Sequence, residues 1–124
     1  MPQKSDVVFV VDDDESIRRA LKRLLKSSGY DAVTFASAEE FIASDPGRGK
    51  GCLILDIHLP GMTGLDLQEK LTASGAKYAV IFMTAHDNTQ WRQKAKAAGA
   101  IAYLRKPFAE QALLDAIRIC LRET

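Results

Sequence analysis

Asp12 and Asp13 follow directly on the apolar run Val7-Val8-Phe9-Val10-Val11, and Asp14 and Glu15 extend the acidic stretch. Asp56 stands in the same relation to Cys52-Leu53-Ile54-Leu55, Thr84 to Ala79-Val80-Ile81-Phe82-Met83, and Lys106 comes shortly after Ile101-Ala102-Tyr103-Leu104. If those runs lie side by side, the polar residues that end them converge. Carboxylates crowded together repel, so Asp12, Asp13 and Asp56 point to a bound cation, and hard oxygen ligands suit Mg2+, or Mn2+, that keeps several waters. A hydroxyl from Thr84 and an ammonium from Lys106 opposite that cation form a receptor for an anion with several oxygens, and a phosphoryl group fits best. The predicted chemistry is phosphoryl transfer.

The elements that must position these side chains follow from hydrophobic periodicity. The runs before Asp12, Asp56 and Thr84 are apolar at every position, the first of them rich in β-branched residues, which reads as strands buried on both faces. Asp31 to Phe35 and Ile101 to Leu104 add a short second and fifth strand. Between them lie helical stripes: Ile17, Leu21, Leu24, Leu25 and Ser28, ended by Gly29; Phe41 and Ile42 after a capping box at Ser37-Ala38-Glu39-Glu40; Leu65, Leu67 and Leu71 after the turn Pro60 to Gly64; Trp91, Ala95 and Ala98 up to Gly99; and Leu113, Leu114, Ile117, Cys120 and Leu121. Pro46 to Gly51 reads as a loop. Strict alternation of strand and helix with short connections predicts the α/β class, a parallel sheet with helices on both sides. In such doubly wound sheets the ligand crevice lies beyond the carboxyl ends of the strands, where Asp12, Asp13, Asp56, Thr84 and Lys106 stand.

The chain has 124 residues, 47% hydrophobic and 27% charged, the balance of one ordinary globular domain with a sizeable core. Seventeen basic against sixteen acidic residues leave a net charge of +1, so the strong positive field that holds nucleic acid by its phosphates is missing. Cys52 and Cys120 show no C-x-x-C spacing, and there is neither a secretory signal nor an apolar run of bilayer length. The expectation is a cytoplasmic protein with reduced thiols.

Four segments taken in order, Val10-Val11-Asp12-Asp13-Asp14, Leu55-Asp56-Ile57-His58-Leu59-Pro60-Gly61-Met62-Thr63-Gly64, Met83-Thr84-Ala85 and Arg105-Lys106-Pro107-Phe108, resemble the receiver domain of bacterial two-component response regulators. The likeness covers nearly the whole chain. It implies a flavodoxin-like, doubly wound five-stranded parallel sheet in the order 2-1-3-4-5 with five helices, a single receiver domain over residues 1–124 with no output domain. It implies that Asp56 accepts a phosphoryl group from a phosphohistidine of a sensor histidine kinase or phosphotransfer protein. Asp13 and Asp56, with the backbone carbonyl of His58, would hold Mg2+ directly and Asp12 mainly through water, while Thr84 and Lys106 would bind the phosphoryl oxygens. The pull on Thr84 would let Tyr103 swing from an exposed to a buried rotamer and change the surface of the fourth helix, fifth strand and last helix, opening the way to a phosphorylation-dependent homodimer. His58 and His86 would tune the water that hydrolyses the phosphoaspartate. The resemblance also implies a cis Lys106-Pro107 bond. Its nearest look is to receivers that precede a helix-turn-helix DNA-binding domain, in the style of nitrogen-fixation regulators. The product is a signalling switch acting on itself, with no external substrate, membrane or nucleic acid of its own.

Blander accounts exist for each residue. Acids after a strand complement the dipole of the next helix, which explains one or two of the four. His58 and His86 lie in loops without a spaced third ligand, which argues against zinc. The cations Arg18, Arg19, Lys22, Arg23 and Lys26 read as a solvated helix face, though relatives use that helix to dock the kinase. Trp91 reads as packing, Ile119 as a singly exposed apolar residue, and both cysteines as small core residues. Arg92 and Gln93 depart from the small or aliphatic residues common on the fourth helix of relatives, and Ala109 replaces a usual capping Asp. An alternative of another class is a haloacid-dehalogenase-like phosphohydrolase with Asp12 as nucleophile, which would leave Asp56 without a role.

Overall fold

The computed structural model describes residues 7–46, 49–86 and 88–123. Among these, strands and helices alternate as β1 (Val7–Val11), α1 (Glu15–Ser27), β2 (Asp31–Phe35), α2 (Ala38–Ser44), β3 (Lys50–Asp56), α3 (Gly64–Ala73), β4 (Lys77–Thr84), α4 (Thr89–Ala97), β5 (Ala102–Arg105) and α5 (Glu110–Glu123). All pairings are parallel and the sheet order is β2-β1-β3-β4-β5, the order the resemblance implied.

The continuous apolar runs are explained by the sheet's two covered faces. Alternate residues Val8, Val10, Cys52, Ile54, Ile81 and Met83 pack with Leu21 and Leu25 of α1 and Leu113, Ile117 and Cys120 of α5. Their neighbours Phe9, Val11, Leu53, Leu55, Val80 and Phe82 pack with Phe41, Leu67 and Ala95 of α2, α3 and α4. Both cysteines are buried and free, and the hydrogen bond with Cys120 together with burial pushes the Cys52 thiol pKa up, which keeps it protonated. Ile119 is 46% exposed, off the stripe as expected. No helix among the described residues is long and apolar enough to cross a membrane.

Several boundaries differ from the sequence expectation, and each has a local cause. β3 begins at Lys50 rather than Cys52, because Lys50 and Gly51 pair with Lys77 and Tyr78 and so extend β4 backward as well. Gly51 (φ +141°) therefore lies in a strand and not a loop; a Cβ there would come 2.8 Å from the Phe9 ring, so the missing side chain makes room for that ring. Gly47 and Arg48 of the predicted loop lie outside the described residues. α1 starts two residues before Ile17 because Asp14 is its N-cap, its side chain accepting from the Ser16 amide at 2.8 Å. At α2, Ser37 accepts from the Glu40 amide, but Glu40 Oε1 accepts from Ala36 rather than Ser37, so the capping box is only half formed. The complete box is at α3, between Thr63 and Asp66, and Asn88 caps α4. At the start of α5 the Ala109 carbonyl accepts from the Ala112 and Leu113 amides.

Candidate functional site

The parallel order puts the carboxyl ends of β1 and β3 side by side at the middle of one sheet edge, with those of β4 and β5 next along. Asp12 is fully buried there, Asp56 is 5% exposed, and Asp13 is exposed. Carboxylate oxygens of Asp12, Asp13 and Asp56 all lie within 4.8 Å of one another. This donor set, three carboxylates with one side open to solvent, suits a hard divalent cation that keeps several waters.

Lys106 completes the cluster. Its ammonium donates to Asp12 Oδ2 at 2.7 Å and to Asp56 Oδ2 at 3.3 Å, with the side chain 16% exposed. The lysine is anchored by its own amide, which donates to the Thr84 carbonyl at 2.7 Å, and the Lys106-Pro107 bond is cis. Burial alone would lower the Lys106 pKa, but the hydrogen bond to Asp12 and the charge of Asp56 outweigh it and the pKa is raised. For Asp56 burial is the largest influence and raises the pKa; Lys106 pulls the other way, Asp12 adds to the rise, and the net result is upward. The nucleophile expected from the sequence is thus a carboxyl whose ionised form is held in place at some expense.

The backbone around Asp56 is fixed by the loop that follows it. His58 N–H donates to Asp56 Oδ1 at 3.0 Å, and Gly64 N–H closes the loop onto the Ile57 carbonyl at 3.0 Å. A Cβ on Gly64 would collide with the Asp56 carbonyl oxygen, so only glycine lets α3 begin directly against the Asp56 main chain. Glu39 of α2 reaches across to accept from Met62 N–H at 3.2 Å, which fixes the same loop from the other side.

Thr84 is fully buried at the end of β4, and its hydroxyl donates to the His86 carbonyl at 2.8 Å while accepting from the His86 amide at 3.1 Å. The Thr84 hydroxyl is therefore engaged by its own loop in this structure. Tyr103 sits on β5 opposite Phe82, half buried, with the Arg92 guanidinium 5.3 Å from its ring centroid. His58 and His86, both exposed, face each other with ring centroids 5.7 Å apart, and His58 also meets the Trp91 ring edge to face at 4.3 Å. Trp91 is thus packed against the rim of the site rather than remote from it.

Three contacts escaped the sequence reading. Arg18, grouped with the solvated cations of α1, donates to the Asp12 carbonyl at 2.8 Å and holds the end of β1. Asp14 belongs to helix capping and not to the carboxylate cluster, and its hydrogen bonds from Ser16 lower its pKa. Gln68 of α3 is buried and donates to the Ala98 carbonyl, tying α3 to the end of α4. An Arg one helical turn into α1 was the only available signal for the first; nothing local marks the third. As an alternative nucleophile Asp12 fares poorly: it has no exposed surface and its Oδ2 is occupied by Lys106.

A family model for the response regulator receiver domain matches residues 8–118. The chain is 42% identical over 111 residues to nodulation protein W of Bradyrhizobium diazoefficiens, covering 90% of this chain and 49% of that protein. It is 40% identical over 122 residues to response regulator protein TmoT of Ectopseudomonas mendocina, covering 98% and 56% respectively. It superposes on the solved response regulator StyR with a TM-score of 0.87 at 47% identity, covering 94% of this chain and 59% of that one. The chain spans about half the length of the curated relatives it matches.

Proposed function

The chain belongs to the response regulator receiver domain family, and from that premise we propose that it accepts a phosphoryl group on Asp56 from a phosphohistidine of a sensor histidine kinase or phosphotransfer protein. The observation that carries this reading is the Lys106 ammonium shared between Asp12 and Asp56 beside the exposed Asp13. An Asp56 oxygen forms the new O–P bond as the N–P bond of the donor breaks; the imidazole nitrogen keeps that electron pair and takes a proton. An ionised carboxylate needs no general base, so the protein's task is positioning and charge neutralisation. Asp13, Asp56 and the His58 carbonyl, with Asp12 through water, would hold Mg2+ or Mn2+, which would supply neutralisation of the charge on the nucleophile and the transferring oxygens. Lys106 neutralises a further part of that charge by moving its hydrogen bond from Asp56 to the phosphoryl group.

Thr84 exchanges its bond to the His86 carbonyl for one to the phosphoryl oxygen. That exchange is the differential contact that biases Tyr103 and the surface of α4, β5 and α5. Phosphorylation is the input, and the output is tighter self-association or binding of a partner protein in the cytoplasm, with no direct contact to nucleic acid or membrane. His58 and His86 stand on the path of the water that returns Asp56 to its free form, so the protein acts as a switch on itself. Incubation with acetyl phosphate and Mg2+, followed by borohydride trapping and peptide mapping, tests the assignment. Label is expected on Asp56 and lost in Asp56→Asn; labelling of that variant at the wild-type rate overturns it.

A further inference from the structure

The Tyr103 ring packs onto the core that α2, α3 and α4 share, and its hydroxyl oxygen is shielded from solvent. The groove between α4 and β5 beside it, about 270 Å3, is lined by Ala95 and Ala100, whose methyl groups leave the ring room to move. What stands over the ring is the Arg92 guanidinium, from an exposed position on α4. A planar, weakly hydrated guanidinium is well matched to an aromatic face, and the attraction exists only while the ring lies beneath it.

We infer that Arg92 is a clasp on the switch, holding Tyr103 in the half-buried position before any phosphoryl group arrives. The inference rests on the proposed role of Tyr103 and adds a regulator of it: Arg92 sets how much of the switching the phosphoryl group has left to do. A contact made in one of two conformations shifts their ratio by that contact's strength alone. Arg92 therefore favours the inward ring in the absence of phosphate, and chains with an uncharged residue at this place depend on phosphate more completely. His86 and Thr84 control arrival of the signal at β4; Arg92 controls the ring's resting place at β5.

Nitration of tyrosine by tetranitromethane, mapped by mass spectrometry on the unphosphorylated full chain, reads exposure of Tyr103 against Tyr30 and Tyr78 in the same molecule. Arg92→Ala and Arg92→Gln are expected to nitrate Tyr103 about two- to five-fold faster, the change that losing an exposed cation–π contact brings, and Arg92→Lys to fall between. Gln preserves length and planarity without charge, so Arg92→Gln nitrating at the wild-type rate overturns the clasp, even if Arg92→Ala is faster. A parallel rise at Tyr30 and Tyr78 also overturns it, because the effect is then global loosening. A separate arm adds Mg2+ and beryllofluoride to the wild type. Slower nitration there supports Tyr103 as the switch, whereas an unchanged rate beside a faster Arg92→Gln leaves the clasp standing and removes the switch.

Discussion

Lys106→Met tests whether the site is held together by one cation. The ammonium joins Asp12, with no exposed surface, to Asp56, with a side chain 7% exposed, at 2.7 and 3.3 Å. Removing one partner of a buried ion pair usually costs about 3 to 5 kcal/mol, because the charge left behind is uncompensated. Here two carboxylates are left, which argues for the upper end; the 16% exposure of the lysine and the open side at Asp13 admit water and argue for the lower. The expected loss is about 3 kcal/mol at pH 7 without divalent cation, a drop of about 1.5 M in urea midpoint for a slope near 2 kcal/mol per molar.

The pH dependence separates this account from a simple packing loss. In the wild type the raised pKa of Asp56 means that the folded chain binds that proton more tightly than the unfolded one. That contribution to stability is full below the ordinary value of 3.8 and is lost as pH rises through the raised value. The raised Lys106 pKa acts in the same direction at the alkaline end, its stabilisation full below the ordinary 10.5 and lost as pH rises through the raised value. Without the lysine the Asp56 carboxyl is driven further toward protonation, so the deficit of Lys106→Met should shrink between pH 7 and pH 5. Saturating Mg2+ should restore the variant more than it stabilises the wild type, and Asp12→Asn in the same chain should recover most of the loss. Urea unfolding followed by far-UV circular dichroism measures all three. A variant that unfolds at the wild-type midpoint at pH 7, or whose deficit grows on acidification, refutes the reasoning.

Asp13→Ala should weaken Mg2+ binding in calorimetry by at least tenfold, and unchanged affinity would remove it as a ligand. Thr84→Ala should still label at Asp56, since nucleophile and Lys106 remain, but show less association in beryllofluoride by sedimentation; association equal to the wild type refutes the coupling, and if neither chain associates the same comparison moves to binding of the partner. Gly64→Ala places a methyl against the Asp56 carbonyl, so a loss of about 2 kcal/mol in stability is expected, as for overpacked sites, together with slower labelling by acetyl phosphate. A variant as stable and as fast as wild type would show that the loop yields freely.

The central strands and the residues that end them were legible because burial on both faces leaves a continuous apolar run, and a polar residue at its end has nowhere to be but the rim. The pairing of Lys106 with Asp12 was legible only as convergence; the shared hydrogen bonds depend on where the ammonium comes to rest. What sequence left out is mostly non-local. Gly51 and Lys50 look like loop residues until Lys77 and Tyr78 arrive to pair with them. Arg18 looks solvated because its partner is a main-chain carbonyl, which carries no sequence signal. Trp91 and His58 are far apart in the chain and meet because α4 lies beside the β3 loop. The half-formed box at Ser37 and the full one at Thr63 show the same limit in miniature: the pattern marks a helix start, and the reciprocal bond depends on where the acidic side chain turns.

The residue types at the rim follow from the strand order. β1 and β3 are adjacent, and neighbouring strands lie about 4.8 Å apart, so the short carboxylates of Asp12 and Asp56 reach a common point from their own strand ends. β5 is separated from β3 by β4, and a group that follows it must cross the end of the intervening strand to reach the same point. Only a long side chain does this, and its backbone must be fixed first. The Lys106 amide on the Thr84 carbonyl provides that fixing on the strand being crossed. Thr84 therefore ends the strand that the lysine crosses on its way to Asp56. The strand order thus brings the carboxylates from the two adjacent central strands and the ammonium from beyond the strand that ends in Thr84, long enough to reach both Asp12 and Asp56.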